Sequence, residues 1–229
     1  MNGATLANFY DHLIEHTAAA RAELLNVPII QGCLRGEVSL ASYLAFLNHA
    51  YHHVHHTVPL MRACLLALSE QKRWLEEPLR EYIEEEIGHD QWILDDIEAA
   101  GGDARLVEDS TPDHAVDVMV AYAYDLIARR NPLGFFGMVH VLEGTSVALA
   151  LLAAQKIQDN LELPDRAFSY LRSHGTLDRE HVTHFEELMN RIEDPLDQRD
   201  IIQAARAFYR LYADVFRSLP MPVTAGVAA

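Results

Sequence analysis

The stretch LRSHGTLDREHVTHFEEL, residues 171–188, decides how this chain is read. It carries His174, Asp178 and His181 in the pattern H-x3-D-x2-H. On an α-helix those offsets return to nearly one direction, and Phe185 continues the same line. A line of imidazole, carboxylate and imidazole is unfavourable to bury without a partner. A metal ion suits all three, and mixed imidazole and carboxylate ligands favour iron, manganese or zinc over calcium. Gly175 lies inside the stretch and is a candidate interruption between His174 and Asp178. Taken alone, the stretch fits a ligand set and a partly exposed polar face equally well.

Two other stretches offer the missing ligands. In EYIEEEIGHDQWILDDIEAAGG, residues 81–102, Glu86 and His89 form E-x-x-H, a spacing that turns both side chains one way on a helix. Carboxylate-bridged dimetal bundles use this device. Tyr82, His89 and Trp92 mark an inward side, with Glu85 and Glu86 straddling it. The most apolar stretch is LGFFGMVHVLEGTSVALALLAAQKIQDN, residues 133–160, and reads as the central helix of a bundle. Glu143 sits in its middle, one turn after His140. A carboxylate buried there needs a metal or an arginine, or it takes up a proton. Gly137, Gly144 and Ser146 around it allow a neighbour or a ligand to approach closely.

The whole chain narrows the classes. It has 229 residues, half of them apolar, which suits one large helical domain over 1–229. The net charge of −16 with neutral histidines argues against nucleic acid and against anionic membrane surfaces. Two cysteines, Cys33 and Cys64, imply no disulfide framework and fit a reducing, cytoplasmic setting. The first residues lack the basic flank and apolar run of a signal peptide. The closest approach to a membrane span, Met138 to Ala154, contains His140 and Glu143.

The remaining segments read as helices joined by short connections. Residues 4–26 form an amphipathic helix through Leu6, Phe9, Leu13 and Ala20, ended by Pro28, with His12 and His16 four apart on it. Residues 27–38 form a connection, and Ser39 caps a helix whose Tyr43, Phe46 and Leu47 face inwards. His49, His52, His53, His55 and His56 crowd that helix, so one or two of them line a pocket and the others are solvated. Pro59 kinks or breaks it. Pro78 fits a first turn, and Gly101 and Gly102 fit an end. After a loop over 103–111, Val116, Met119, Val120, Ala123 and Ile127 make a core face, with Tyr122 and Tyr124 as pocket candidates. Asn131-Pro132 breaks that helix. Pro195 precedes a final helix with Ile201, Ala204, Phe208, Leu211 and Val215 inward, a structural lid, and residues 219–229 form a flexible tail.

With the ligand-type residues assembled, three helices supply Glu86, His89, Glu143, His174, Asp178 and His181. This pattern resembles the haem-oxygenase-like diiron oxidases and oxygenases, whose fold is shared with TenA-like and PqqC-like proteins. The resemblance implies an all-α bundle of about seven helices. It implies two non-haem irons held by these six residues, with Glu143 bridging, and manganese or zinc as substitutes. It implies dioxygen and a small amine, amino acid or fatty acid as substrates, with an electron donor as partner. A homodimer is a further expectation. Some members place the third-helix Glu seven positions before the His; that position here is Tyr82, so the E-x-x-H form with Glu86 applies and Glu85 is the fallback. Glu143 and His140 are the catalytic candidates, and Arg129, Arg130 and His140 are pocket candidates.

Four readings compete. A TenA-like thiamin-salvage hydrolase needs a cysteine nucleophile, and neither Cys33 nor Cys64 stands beside an evident base. A PqqC-like cofactorless oxidase needs a basic pocket. A haem oxygenase would use His16 and leave Glu143 unexplained. A helical interaction protein would leave the six residues exposed and metal-free.

Overall fold

The computed structural model describes residues 8–221, apart from the side chains of residues 175–181. Every regular element among the described residues is helical. In chain order these are α1 (Phe9–Leu25), α2 (Pro28–Leu34), α3 (Leu40–Val54), α4 (Thr57–Ala67), α5 (Glu76–Glu86), α6 (His89–Ala99), α7 (Ala104–Glu108), α8 (His114–Arg129), α9 (Phe135–Leu161), α10 (Ser169–Asn190) and α11 (Pro195–Arg217). Short 3-10 turns precede α5, α9 and α10. The all-α class agrees with the sequence; the helix count exceeds the expected seven because two expected helices divide and two expected connections each carry a short helix.

Each division has a local cause. Pro28 does more than end α1: it opens α2 at its first turn, where its missing N–H loses nothing, so the expected connection is partly helical. The histidine-rich helix breaks at His55–His56, and Pro59 sits in the first turn of α4. The helix expected from Pro78 to Gly101 breaks at Gly88, whose φ of +91° lies in the left-handed region. Asp103 accepts from the N–H groups of Arg105 and Leu106 and starts α7 inside the expected loop. Gly175, by contrast, interrupts nothing: α10 runs unbroken from Ser169 to Asn190. Ser39 caps α3 as expected, its hydroxyl accepting from Ser42 N at 3.0 Å.

α9 is the axis of the fold and packs along α10 and α11. Its residues Phe135 to Val141 are all buried. Its N-terminal half joins a core built with α1, α8 and α11, and its C-terminal half joins a second core with α3, α6 and the start of α10. α9 is long and apolar enough to cross a membrane, and half of its most apolar window is buried within the protein, as befits a core helix. Gly137 lets α11 close on α9: a Cβ there would lie 2.6 Å from Ala205 N and 2.8 Å from Ile201 O. Gly144 differs, because a Cβ there would meet nothing within 4 Å. The start of the expected tail is pinned, with Leu219 buried and Pro220 O accepting from Ser42 Oγ at 2.7 Å. Residues 222–229 of that tail lie outside the described residues.

Candidate metal centre

Breaking the helix at Gly88 does not separate Glu86 from His89. Glu86 is the last residue of α5 and His89 the first of α6, and the left-handed turn between them folds one back on the other. His89 Nδ1 lies 3.0 Å from Glu86 Oε2. His89 is buried, and Trp92 stacks on its far face with ring centres 4.1 Å apart. From α10, His174 meets His89 edge to face at 4.9 Å. One ligand atom each from Glu86, His89 and His174 lies within 4.8 Å of the others. A neutral imidazole either donates Nδ1–H to Glu86 or gives that position to a metal ion shared with the carboxylate.

α6 and α10 are held in this relation by Asp96, which is fully buried on α6. Its carboxylate accepts from Ser169 N at 2.8 Å, Tyr170 N at 2.9 Å and Ser169 Oγ at 2.5 Å, and so caps the start of α10. Burial raises its pKa above the ordinary value, against the lowering effect of those three donors.

Glu86, His174 and Glu143 line one cavity of about 170 Å³. Glu85 is exposed, so Glu86 is the glutamate that this break turns inwards. His53 also lines the cavity, the one member of its histidine cluster to do so among the described residues. Its Nδ1–H donates to His49 O at 2.9 Å, which leaves the lone pair on Nε2. Burial lowers its pKa to about 4. The other histidines of the cluster have local partners: His49 with Ser218, His52 with Ser110, His55 with Asp90 and His56 with Tyr124.

Several candidates fall elsewhere. His140 does not line the cavity. It is buried beside the cavity rather than on its wall: about 60° round α9 from Glu143, its Nε2 lies 3.3 Å from Thr17 Oγ1 and its ring stacks on Phe185. Burial lowers its pKa to about 4. Arg129 and Arg130 are exposed and pair with Asp125. Tyr124 binds His56, and Tyr122 packs on Phe208. His16 is exposed on α1 and is absent from the cavity wall. The side chains of Asp178 and His181 lie outside the described residues; the unbroken α10 backbone satisfies the helical spacing their pattern requires.

The sequence named His53 only as one of a cluster and Cys33 only as a thiol in a connection without an evident base; both face the cavity. The signal for His53 was present, since it lies one turn after His49, whose carbonyl is positioned to fix its tautomer. Cys33 was hidden because α2 read as a connection.

Solved structures share this architecture. A domain of unknown function with a heme oxygenase-like fold from Shewanella denitrificans superposes with a TM-score of 0.84 at 20% identity, over 94% of this chain and 93% of its own. A TenA homologue from Pseudomonas syringae pv. tomato gives 0.77 at 12% identity, over 91% of both chains. Heme oxygenase-1 from the cyanobacterium Synechocystis, in complex with heme, gives 0.73 at 16% identity, over 93% of this chain and 92% of its own. These similarities establish the fold. No curated protein matches the chain in sequence. Residues 44–213 match the sequence pattern of a family described as iron-containing redox enzymes, a span that takes in Glu86, His89, Glu143 and the whole of H-x3-D-x2-H. On that match, the chain belongs to the iron-containing redox enzyme family.

Proposed function

We propose that this protein is a non-haem diiron oxidoreductase that uses dioxygen to oxidise a small organic substrate of the amine, amino acid or fatty acid class. One observation carries the reading: Glu86, His89 and His174 converge within 4.8 Å, and Glu86 and His174 stand on the wall of a cavity that Glu143 also lines. Two carboxylates and two imidazoles suit iron, and Asp178 and His181 complete the set on α10. Bound iron would supply one-electron chemistry and a binding site for dioxygen. Trp92 and Glu86 fix the His89 ring, and Asp96 fixes the helix that carries His174. The apolar wall keeps water away from the reacting groups. His53, neutral with its lone pair on Nε2, is the group placed to accept a proton in the cavity. An electron donor and a cytoplasmic location belong to the same proposal.

The TenA-like hydrolase is the second reading, favoured by one observation: Cys33 lines the cavity. Burial, however, pushes its thiol up to about 11, away from the thiolate a nucleophile needs. The Cys33→Ser variant separates the two readings, since a diiron enzyme tolerates it.

The test is metal analysis after anaerobic loading with iron(II), followed by rapid mixing with oxygen. Two irons per chain and a transient visible band are expected. Glu143→Ala and His181→Ala should each lose iron. Retention of two irons by either variant, or no iron in the wild type, overturns the assignment.

A further inference from the structure

Among the described residues, two rings other than the imidazoles themselves lie against proposed iron ligands. Tyr170 meets the His174 ring at 4.7 Å and is buried. Trp92 lies on His89, ring centres 4.1 Å apart and planes 24° apart, and is only half-buried. Its indole N–H has no acceptor among the described residues and is not enclosed, so it meets water. Trp92 therefore touches the candidate centre on one side and solvent on another.

The setting of this indole favours the loss of an electron. Its π-system overlaps the imidazole in the stack. From residue 81 to residue 104 the chain carries carboxylates and neither lysine nor arginine. Asp95 and Asp96 stand about one turn from Trp92 on α6, and Glu86 holds the His89 ring at Nδ1. Negative charge at this range stabilises an oxidised indole. Trp74 has the opposite setting, because the Arg191 guanidinium lies 4.4 Å from its ring centre and resists the loss of an electron there. Tyr43 and Tyr212 on the cavity wall are buried, and burial raises the pKa of each phenol, so neither readily gives up the proton that its oxidation must release. Reduction of dioxygen to water takes more electrons than two iron(II) ions hold, so a diiron oxidase draws the remainder from its substrate or from a donor.

We infer that Trp92 is the inlet through which electrons from solution reach the candidate centre, an inference that rests on the diiron reading. Iron oxidised by dioxygen takes one electron from the indole across the His89 ring. The indole N–H proton leaves to water, and a neutral indolyl radical remains. A soluble enediol or thiol then returns one electron and one proton at the solvent side and restores Trp92. In each cycle the iron gains one electron and the reductant loses one. Trp92 acts on the iron only through His89.

Laser-flash oxidation of the metal-free protein by tris(bipyridine)ruthenium(III) tests the indole by itself. A transient indolyl radical should form in the wild type and in Trp74→Phe, and nearly none in Trp92→Phe; ascorbate should shorten its life. The second measurement is freeze-quench electron paramagnetic resonance of anaerobic iron(II)-loaded protein mixed with oxygen in the absence of substrate. An indolyl signal should appear in the wild type and in Trp74→Phe. It should vanish in Trp92→Phe at unchanged iron content and be replaced by a tyrosyl signal in Trp92→Tyr, a change of radical identity that a packing role would not produce. If Trp92→Phe loses its iron, Trp92→Tyr decides, and an indolyl signal persisting there overturns the inlet. A flash radical that persists in Trp92→Phe, or bound irons that consume oxygen with no radical at Trp92, overturns the inlet and leaves the diiron reading standing. A wild type that binds no iron, while its flash radical does form at Trp92, strikes the diiron reading and the inlet with it.

Discussion

The Trp92 indole lies on the His89 imidazole, ring centres 4.1 Å apart with 24° between planes, and shields a face of a proposed iron ligand. Such contact makes Trp92 a reporter, since a transition metal bound to His89 quenches an indole that close. Trp74, the other tryptophan, stacks under Arg191 at 4.4 Å in a separate setting. Iron(II) or cobalt(II) titration should therefore quench part of the intrinsic fluorescence. Trp92→Phe should keep metal binding and lose most of that quench. An undiminished quench in the variant would place the metal away from His89.

Much of this candidate site was readable because metal chemistry restricts residue type. Glu143 stood out as a carboxylate in the most apolar helix, and it does face the cavity. Glu86 and His89 were paired on the premise of a continuous helix. They meet instead across a break, which only the left-handed Gly88 makes possible. Spacing alone does not distinguish these two geometries, because both bring residues three apart together. His140 misled for a related reason: one turn from Glu143 along the sequence, it points to Thr17 and Phe185. The helix α2 that carries Cys33 was read as a connection because Pro28 signals both an end and a beginning.

Gly137 and Gly144 looked alike in sequence and should behave in opposite ways. A Cβ at Gly137 would press on the α11 backbone, which has no flexible end to give way. Gly137→Ala should destabilise by about 1–3 kcal/mol or more as overpacking. At Gly144 the space is open, so Gly144→Ala should stabilise α9 by roughly 0.5–1 kcal/mol through helix propensity. Urea unfolding of the metal-free proteins measures both. Equal effects of one sign would show that the α9–α11 approach is not as tight as described.

Asp96 touches no proposed ligand, yet it ties the helix of His89 to the helix of His174. Asp96→Ala leaves two N–H groups at the start of α10 without their acceptor. The expected loss is about 2–3 kcal/mol. Iron affinity should fall alongside, because α6 and α10 are no longer held in register. Asp96→Asn retains one carbonyl acceptor and should recover part of both losses. A stable Asp96→Ala protein with unchanged iron affinity would show that Asp96 positions nothing.

His140 makes the fold sensitive to acid. It is buried among Tyr10, Thr17, Phe185 and Tyr209, with Arg21 also disfavouring its charge, and its pKa is lowered to about 4 from an ordinary value of 6.5. Between these two values the unfolded chain carries a proton on this imidazole that the folded protein does not. Stability therefore rises with pH across the window, is fully present above about 6.5, and is lost as the pH falls towards 4. The full effect is about 3 kcal/mol in order of magnitude. His140→Gln keeps a polar group near Thr17 and removes the titration. Its unfolding free energy, followed by urea in the metal-free form from pH 7 down to 4.5, should decline less steeply than that of the wild type. Parallel curves for the two proteins would mean that His140 titrates in the folded state much as it does in the unfolded chain, and the acid sensitivity would then have to come from other groups.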